Sequence, residues 1–124
     1  MNNIKTYKTN HQKGLDAEKL ACEYIQQNGF IIIGTRIKTK FGEIDILAKA
    51  NDKHSTNDYY IFEVKTRKEE NTAYESVGLH QIQRSINAFF VYAQANNIEF
   101  EQIYLRAILV IGNNIQVVDI DTLE

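Results

Sequence analysis

The chain has 124 residues, of which 44% are hydrophobic and 24% charged, and a net charge of −2 at pH 7. This is the size of one domain with its own hydrophobic core, and the composition is that of a globular protein rather than a disordered or fibrous one. No apolar run approaches the roughly 20 residues of a membrane span, so we expect no membrane association. Cys22 is the only cysteine, which excludes an internal disulfide and a zinc site built from thiolates.

The N-terminal residues 1–12 are polar, and we expect them to be loose, with residues 13–124 forming a single domain. The segment is basic but lacks the apolar stretch of a signal peptide, so a cytoplasmic location is expected.

A helix is predicted from Leu15 to Asn28, because apolar residues recur there at helical spacing. Gly29 can adopt the left-handed conformation that commonly follows a helix. Glu18 borders the apolar face of this helix. Taken alone, an acid at this position is best explained as a first-turn residue favoured by the helix dipole.

Three strands are predicted next. Residues 30–33 form a short buried strand that runs on towards Arg36, and residues 38–40 form a basic turn. The stretches FGEIDILAK and YIFEVKTR then alternate apolar and charged residues, as strands do. Turn-forming residues lie between them, so we expect the two strands to pair as an antiparallel hairpin.

The hairpin brings acidic and basic side chains together. Alternation predicts Ile44 and Ile46 on one face of the first strand and Asp45 on the other, and it predicts Glu63 and Lys65 on the same face of the second. Two carboxylates beside an ammonium are costly unless a cation or a substrate binds there. The alternative is a cross-strand salt bridge on a solvated face, which the hairpin alone favours.

A second helix is predicted from about Glu75 to Ala95, followed by strands over residues 103–111 and 115–120. The order is α-β-β-β-α-β-β. We expect an α/β fold with a single mixed sheet of about five strands flanked by helices, in which the second helix crosses over between the third and fourth strands.

Basic residues are concentrated in one part of the chain, since residues 1–84 hold 13 of the 14 lysines and arginines. Arg36, Lys38, Lys40 and Arg67 lie close to the acidic hairpin in sequence. They are candidates for an edge that contacts the phosphates of a nucleic acid. A solvated face explains the same charges, and on charge alone it is the better explanation.

The motifs resemble those of the YraN-like family of small bacterial proteins, within the PD-(D/E)xK superfamily of restriction-endonuclease-like nucleases. The resemblance rests on Gly14-x-x-x-Glu18, Gly29-Phe30, GEIDI at 42–46 and IFEVKTR at 61–67. It extends from about Gly14 to Arg106. A lone ExK motif would be weak, whereas GEID and EVKxR at this separation are specific.

The resemblance implies a restriction-endonuclease-like fold and a metal-dependent nuclease that acts on DNA, with branched or damaged DNA among the candidate substrates. It implies that Asp45 and Glu63 hold Mg²⁺ or Mn²⁺, that Glu18 is a further acid at the metal, and that Lys65 is the catalytic cation. This agrees with the chemistry of phosphodiester hydrolysis, which needs an activated water and stabilisation of negative charge. Glu43 shares a strand with Asp45 and is expected at the rim.

The chain departs from the family pattern in three places. Lys38 replaces a usual arginine, Gln81 replaces a lysine early in the second helix, and Ile108 replaces an aspartate. The alternative hypothesis is a nucleic-acid-binding module of the same fold with little or no catalysis, because fold does not fix function. The oligomeric state is left open, with a dimer as one option.

Overall fold

The structure, a computed structural model, describes residues 9–51, 57–67 and 78–120. Two helices and five strands are described, in the predicted order α-β-β-β-α-β-β. They are α1 (Asn10–Gln27), β1 (Phe30–Thr39), β2 (Gly42–Ala50), β3 (Asp58–Arg67), α2 (Leu79–Ala95), β4 (Gln102–Ile111) and β5 (Asn114–Asp119).

The five strands form one mixed sheet in the order β1-β2-β3-β4-β5. Neighbouring strands are antiparallel except β3 and β4, which are parallel, as a crossover through α2 requires. The two helices pack on opposite faces of the sheet. The predicted restriction-endonuclease-like arrangement of a single mixed sheet flanked by helices is therefore confirmed.

The first helix begins earlier than the sequence pattern indicates. The Thr9 hydroxyl accepts a hydrogen bond from the Gln12 backbone N–H at 3.1 Å and caps a helix that starts at Asn10, not at Leu15. Three residues of the segment predicted to be loose are thus helical, and residues 1–8 lie outside the described part. Gly29 has φ of +86°, which confirms its left-handed conformation after the helix. Neither described helix is long and apolar enough to cross a membrane.

The sheet carries a hydrophobic core on each face. The α1-side core consists of buried residues from α1 and the sheet, namely Ala17, Ala21, Ile25, Ile46, Ala48, Phe62, Ile108 and Val110. The α2-side core consists of buried residues from α2 and the sheet, namely Ile44, Leu47, Tyr59, Ile61, Ile82, Ala88, Phe89, Ala93 and Leu105. A strand sandwiched in this way is buried on both faces, which leaves little room for a charged side chain in its middle.

The predicted alternation along β2 is wrong at its most important point. Ile44 packs in the α2-side core and Ile46 in the α1-side core, so they lie on opposite faces. Arg36 and Asp45 are not among the residue pairs that join β1 to β2. Arg36 has φ of +51°. A left-handed residue in a strand changes the direction of the backbone, which breaks the two-residue period locally. Asp45 lies in this break.

The β1–β2 connection also differs from its predicted position. Lys38 and Thr39 belong to β1, so the turn lies at residues 40–41 and not at 38–40. The turn rests on α2, because a Cβ atom at Gly42 would lie 2.9 Å from both Cβ and the backbone oxygen of Arg84. Glycine is needed at this position for close approach of the two backbones.

The second helix starts at Leu79, after Gly78 in an extended conformation. The predicted start at Glu75 lies outside the described residues. Both helices end at asparagines whose backbone N–H groups bond into the last turn, Asn28 and Asn96. The first turn of the second helix therefore lies beside the end of β3 that carries the EVK motif.

Candidate active site

Two clefts meet at β2, one on each side of the sheet. The α1-side cleft has a volume of about 340 Å³ and includes Glu18, Arg36 and Lys65 in its wall. The α2-side cleft is larger, about 740 Å³, and includes Glu63. Asp45 lines both clefts. The break in the alternation of β2 thus makes one carboxyl group accessible from both faces of the sheet.

Asp45 is fixed by the neighbouring strand. The regular pairing of β2 with β3 ends at Ile46 and Phe62. Beyond this pair, the Val64 backbone N–H donates a hydrogen bond of 2.8 Å to Asp45 Oδ2. The aspartate side chain therefore accepts the hydrogen bond that a backbone carbonyl would accept in a regular ladder, and its orientation is tied to β3.

Glu63 is the buried acid of the site, with 4% of its surface exposed. Its Oε2 accepts a hydrogen bond of 2.9 Å from Gln81 Nε2, and its Oε1 accepts one of 2.8 Å from the Ser85 hydroxyl. Both donors come from α2 and lie one helical turn apart, so they reach the same carboxyl. Glu63 is thus held from the helix and not only from its own strand.

The pKa of Glu63 lies well above its usual value. Burial raises the pKa of Glu63 to about 7, and the charge of Asp45 and a hydrogen bond with its carboxyl act in the same direction. The hydrogen bond from Ser85 and the charge of Lys65 oppose this rise. Asp45 and Glu63 are therefore close enough for the charge of Asp45 to disfavour the charged form of Glu63.

Glu18 also belongs to the acidic group. Burial raises the pKa of Glu18, and the nearby charge of Asp45 is the second cause, followed by an opposing effect of Arg36 and a smaller rise due to Glu43. The helix residue is thus close to Asp45, which the sequence pattern of α1 could not establish. Glu43 lines both clefts and is exposed, as expected for a residue at the rim.

Lys65 and Arg36 supply positive charge on the α1 side. Lys65 is half-buried and lines the α1-side cleft with Glu18, although its charge still acts on Glu63. Glu63 lines the α2-side cleft, so the prediction that Glu63 and Lys65 share one face of β3 is wrong. Arg36 lines the same cleft from the left-handed position opposite Asp45. A left-handed arginine is strained, and strain of this kind is concentrated at functional sites.

The other predicted phosphate contacts are distributed differently. Lys38 is exposed and lines the α2-side cleft, away from Arg36. Lys40 lies in the exposed turn, with its Nζ 5.1 Å from the ring centroid of Phe41. Arg67 is the last residue of β3, opposite Ile111, and its side chain lies outside the described part. Among the described side chains, Arg36 lines the α1-side cleft and Lys38 the α2-side cleft, so these two lie on different faces of the sheet.

The carboxyls do not form a preassembled metal cage. Within residues 9–51, 57–67 and 78–120, no group of three or more His, Cys, Asp or Glu side chains is placed to hold a metal ion. The close acidic pair is Asp45 and Glu63, whose carboxyls share a hydrogen bond. The assignment of Asp45, Glu63 and Glu18 as metal ligands stays a prediction.

Two residues of the site were not predicted as such. Ser85 is 1% exposed and bonds to Glu63, although it lies in the apolar face of α2 between Ile82 and Phe89. Gln81, which stands where the family usually has lysine, also bonds to Glu63. The sequence does contain one indication of these two residues. They are polar and lie one turn apart within an apolar helical face, and buried polar groups require partners.

The comparisons with known proteins give one family. The sequence model described as "Uncharacterised protein family UPF0102" matches residues 17–119 of the chain. A UPF0102 protein from Persephonella marina is 29% identical over 105 residues, covering 83% of this chain and 86% of the relative. One from Campylobacter jejuni is 30% identical over 84 residues, covering 62% and 75%. One from Granulibacter bethesdensis is 38% identical over 82 residues, covering 65% and 49%.

Proposed function

The chain belongs to the uncharacterised protein family UPF0102, which is the YraN-like family of the sequence motifs, and from the site of this member we propose that it is a metal-dependent nuclease. It hydrolyses phosphodiester bonds of DNA. The observation that carries the proposal is the buried Glu63 carboxyl, paired with Asp45 at an open cleft and acted on by Lys65. Burying two neighbouring carboxyls does not stabilise a fold unless a cation or a substrate binds there.

The donor set fits Mg²⁺ or Mn²⁺. These ions take carboxylate oxygens, and Mg²⁺ keeps several waters, so one or two acids plus substrate phosphate complete its coordination. Asp45 and Glu63 would hold the ion and Glu18 would lie beside it. In the metal-free protein the raised pKa of Glu63, which is buried beside Asp45, favours a proton on Glu63. A divalent cation would replace that proton and relieve the repulsion between them.

Each residue of the chain has a defined task in this proposal. The ion, when bound, lowers the pKa of a water and polarises the phosphate. The Val64 N–H orients Asp45, and Gln81 and Ser85 orient Glu63. Lys65 contacts the scissile phosphate from the α1-side cleft and stabilises the negative charge that develops there.

The test is a cleavage assay on duplex, single-stranded and branched DNA with Mg²⁺ or Mn²⁺. Lys65→Ala should keep metal affinity, measured by calorimetry, and lose cleavage by about a hundredfold or more, because the lost charge acts mainly in the transition state. Lys49→Ala is the matched control, since Lys49 lies on β2 over the ring of Tyr59 and lines neither cleft.

The proposal fails if the wild-type protein cleaves none of these substrates. If it cleaves and Lys65→Ala cleaves equally well, the assignment of the EVK motif as catalytic is wrong. The two results separate the activity from the role given to Lys65.

The second candidate is a nucleic-acid-binding module without catalysis. The observation that favours it is the hydrogen bonding of both Glu63 oxygens by α2, which competes with a metal ion for the same atoms. Thermal unfolding with added Mg²⁺ or Mn²⁺ distinguishes the candidates. A metal that binds the native state raises the Tm, and the rise grows with the logarithm of metal concentration above the Kd, whereas the binding module should unfold at the same temperature.

A further inference from the structure

The turn between β1 and β2 presents an aromatic ring to solvent. Phe41 is 49% exposed, and Phe90 of α2, also on the surface, is 47% exposed. Together with Asn87 and Val91 they line a shallow groove of about 280 Å³. Single exposed apolar residues are common, but two aromatic rings that line one groove form a patch of the kind that marks interaction sites.

This groove adjoins the α2-side cleft. Gly42 and Arg84 line the cleft and are in direct contact, while Phe41 and Asn87, their neighbours along the turn and the helix, line the groove. Arg84 and Asn87 are three residues apart on α2, about 4.5 Å along the helix axis.

The charges around the ring indicate the class of partner. Lys40 Nζ lies 5.1 Å from the centroid of Phe41, and Lys38 and Arg84 are exposed at the cleft. Cations that follow a groove beside an exposed aromatic ring are the usual elements of single-strand binding, in which the cations contact phosphates and a base stacks on the ring. Bases within a duplex are stacked on each other and leave no face for Phe41.

We propose that Phe41 stacks an unpaired base of a strand that runs from the groove along the α2-side cleft to Asp45, which makes single strands, or the unpaired regions of branched DNA, the substrate class. This rests on the proposed nuclease function and deepens it. Lys38, Lys40 and Arg84 contact the phosphates on either side of that base. The turn is positioned for this by the contact of Gly42 with Arg84, and Phe41 lines the groove together with Phe90 of α2.

The experiment measures binding without cleavage, by fluorescence anisotropy in EDTA. The probes are a labelled single strand of thymidines, an abasic strand of the same length, and a duplex. The wild-type protein should prefer the thymidine strand over the abasic strand. Phe41→Ala should weaken binding to the thymidine strand by about five- to a hundredfold, the range for loss of one stacked base, and leave the abasic strand unchanged.

Three variants keep the result interpretable. Phe41→Trp should retain the preference because it keeps an aromatic face, and Phe41→Leu should lose it while keeping the apolar contact with α2. Ile31→Ala is the matched control, since Ile31 is also 49% exposed and lies at the other end of β1. It should bind all three probes as the wild type does.

Each other outcome overturns the inference in a recognisable way. If the wild type binds thymidine and abasic strands equally, or Phe41→Ala binds both as before, the ring has no stacking role and the nuclease proposal stands or falls separately on its cleavage assay. If no nucleic acid binds, the stacking proposal fails, and the nuclease proposal is decided by its cleavage assay with Mg²⁺ or Mn²⁺. If sedimentation shows a dimer that Phe41→Ala dissociates while the thymidine preference persists, the groove holds a second copy of the chain instead.

Discussion

The carboxyl of Glu63 is held by two donors from α2 and faces the carboxyl of Asp45, so its protonation is linked to the stability of the fold. Its pKa rises from 4.5 to about 7 on folding. Between these values the folded state binds more protons than the unfolded state. The stability of the metal-free protein should therefore fall as the pH rises through this window.

Glu63→Gln should remove this pH dependence. The amide stays neutral, its oxygen can still accept a hydrogen bond from Gln81, and the Ser85 hydroxyl, which donates to Glu63, can rotate to accept from the amide nitrogen. Relative to the wild type, the variant should gain on the order of 2 kcal/mol in free energy of unfolding between pH 4.5 and pH 8. Urea denaturation in EDTA at both ends of this range measures the gain.

Glu43→Gln removes an exposed carboxylate of the same clefts and controls for a general loss of charge. If Glu63→Gln is instead less stable than the wild type at pH 8 by more than about 1 kcal/mol, the charged carboxylate stabilises the contact with α2. The acid would then be a structural partner, and its role as a metal ligand would be weakened.

At the scale of single residues, much of the site could be predicted from the sequence. The pairing of Asp45 with Glu63 follows from the hairpin, and the family motif adds Glu18 and Lys65. Ser85 could not be identified in this way, because its partner Glu63 is 22 positions away in the chain. Only the docking of α2 on the sheet reveals which polar residue of its buried face meets the acid.

At the scale of secondary-structure elements, the β1–β2 hairpin is positioned by the contact of Gly42 with Arg84. Gly42→Ala should force the backbones apart, because the added Cβ would lie 2.9 Å from a backbone oxygen. We expect a loss of about 1–3 kcal/mol in the free energy of unfolding, as for other overpacked sites. Thermal and urea unfolding of the variant measure the effect.

Gly14→Ala is the matched control. Gly14 lies within α1, and a Cβ there would have nothing within 4 Å. Replacing a helical glycine by alanine should stabilise the protein by roughly 0.5–1 kcal/mol. Equal effects of the two substitutions would contradict the close contact of the hairpin with α2.

The same hairpin shows why element geometry was harder to predict than element order. Period-two alternation correctly indicated that β2 is a strand, but it placed Ile44 and Ile46 on one face. The break between them coincides with the left-handed conformation of Arg36 on the neighbouring strand. No local propensity favours that conformation for arginine, so the sequence of β2 contains no sign of it.

At the scale of the whole molecule, a net charge of −2 means that nucleic-acid binding must depend on a few local cations. Binding should therefore be weak at physiological salt and strongly salt-dependent. The double variant Lys38→Ala and Lys40→Ala should weaken binding to all sequences alike and reduce the slope of log K against log salt by up to about 2, since two phosphate contacts are lost.

Salt titrations of the wild type and the double variant, followed by anisotropy, give the two slopes. Lys13→Ala with Lys19→Ala removes two exposed lysines from α1 and keeps the net charge of the double variant. If the two double variants have the same slope, the phosphates are not contacted by the β1–β2 turn and the nucleic-acid surface lies elsewhere.

The distorted backbone of β1 has a consequence for how copies of the protein meet. In the described part of the chain β1 pairs with β2 on one side and with no strand on the other, so it is an edge that another chain could extend. Its register shift after Ile32 and the left-handed Arg36 interrupt the row of free N–H and C=O groups. This edge is apolar and exposes Ile31 and Ile33. The irregularity that brings an arginine to the acidic site therefore also protects the edge from aggregation by strand addition.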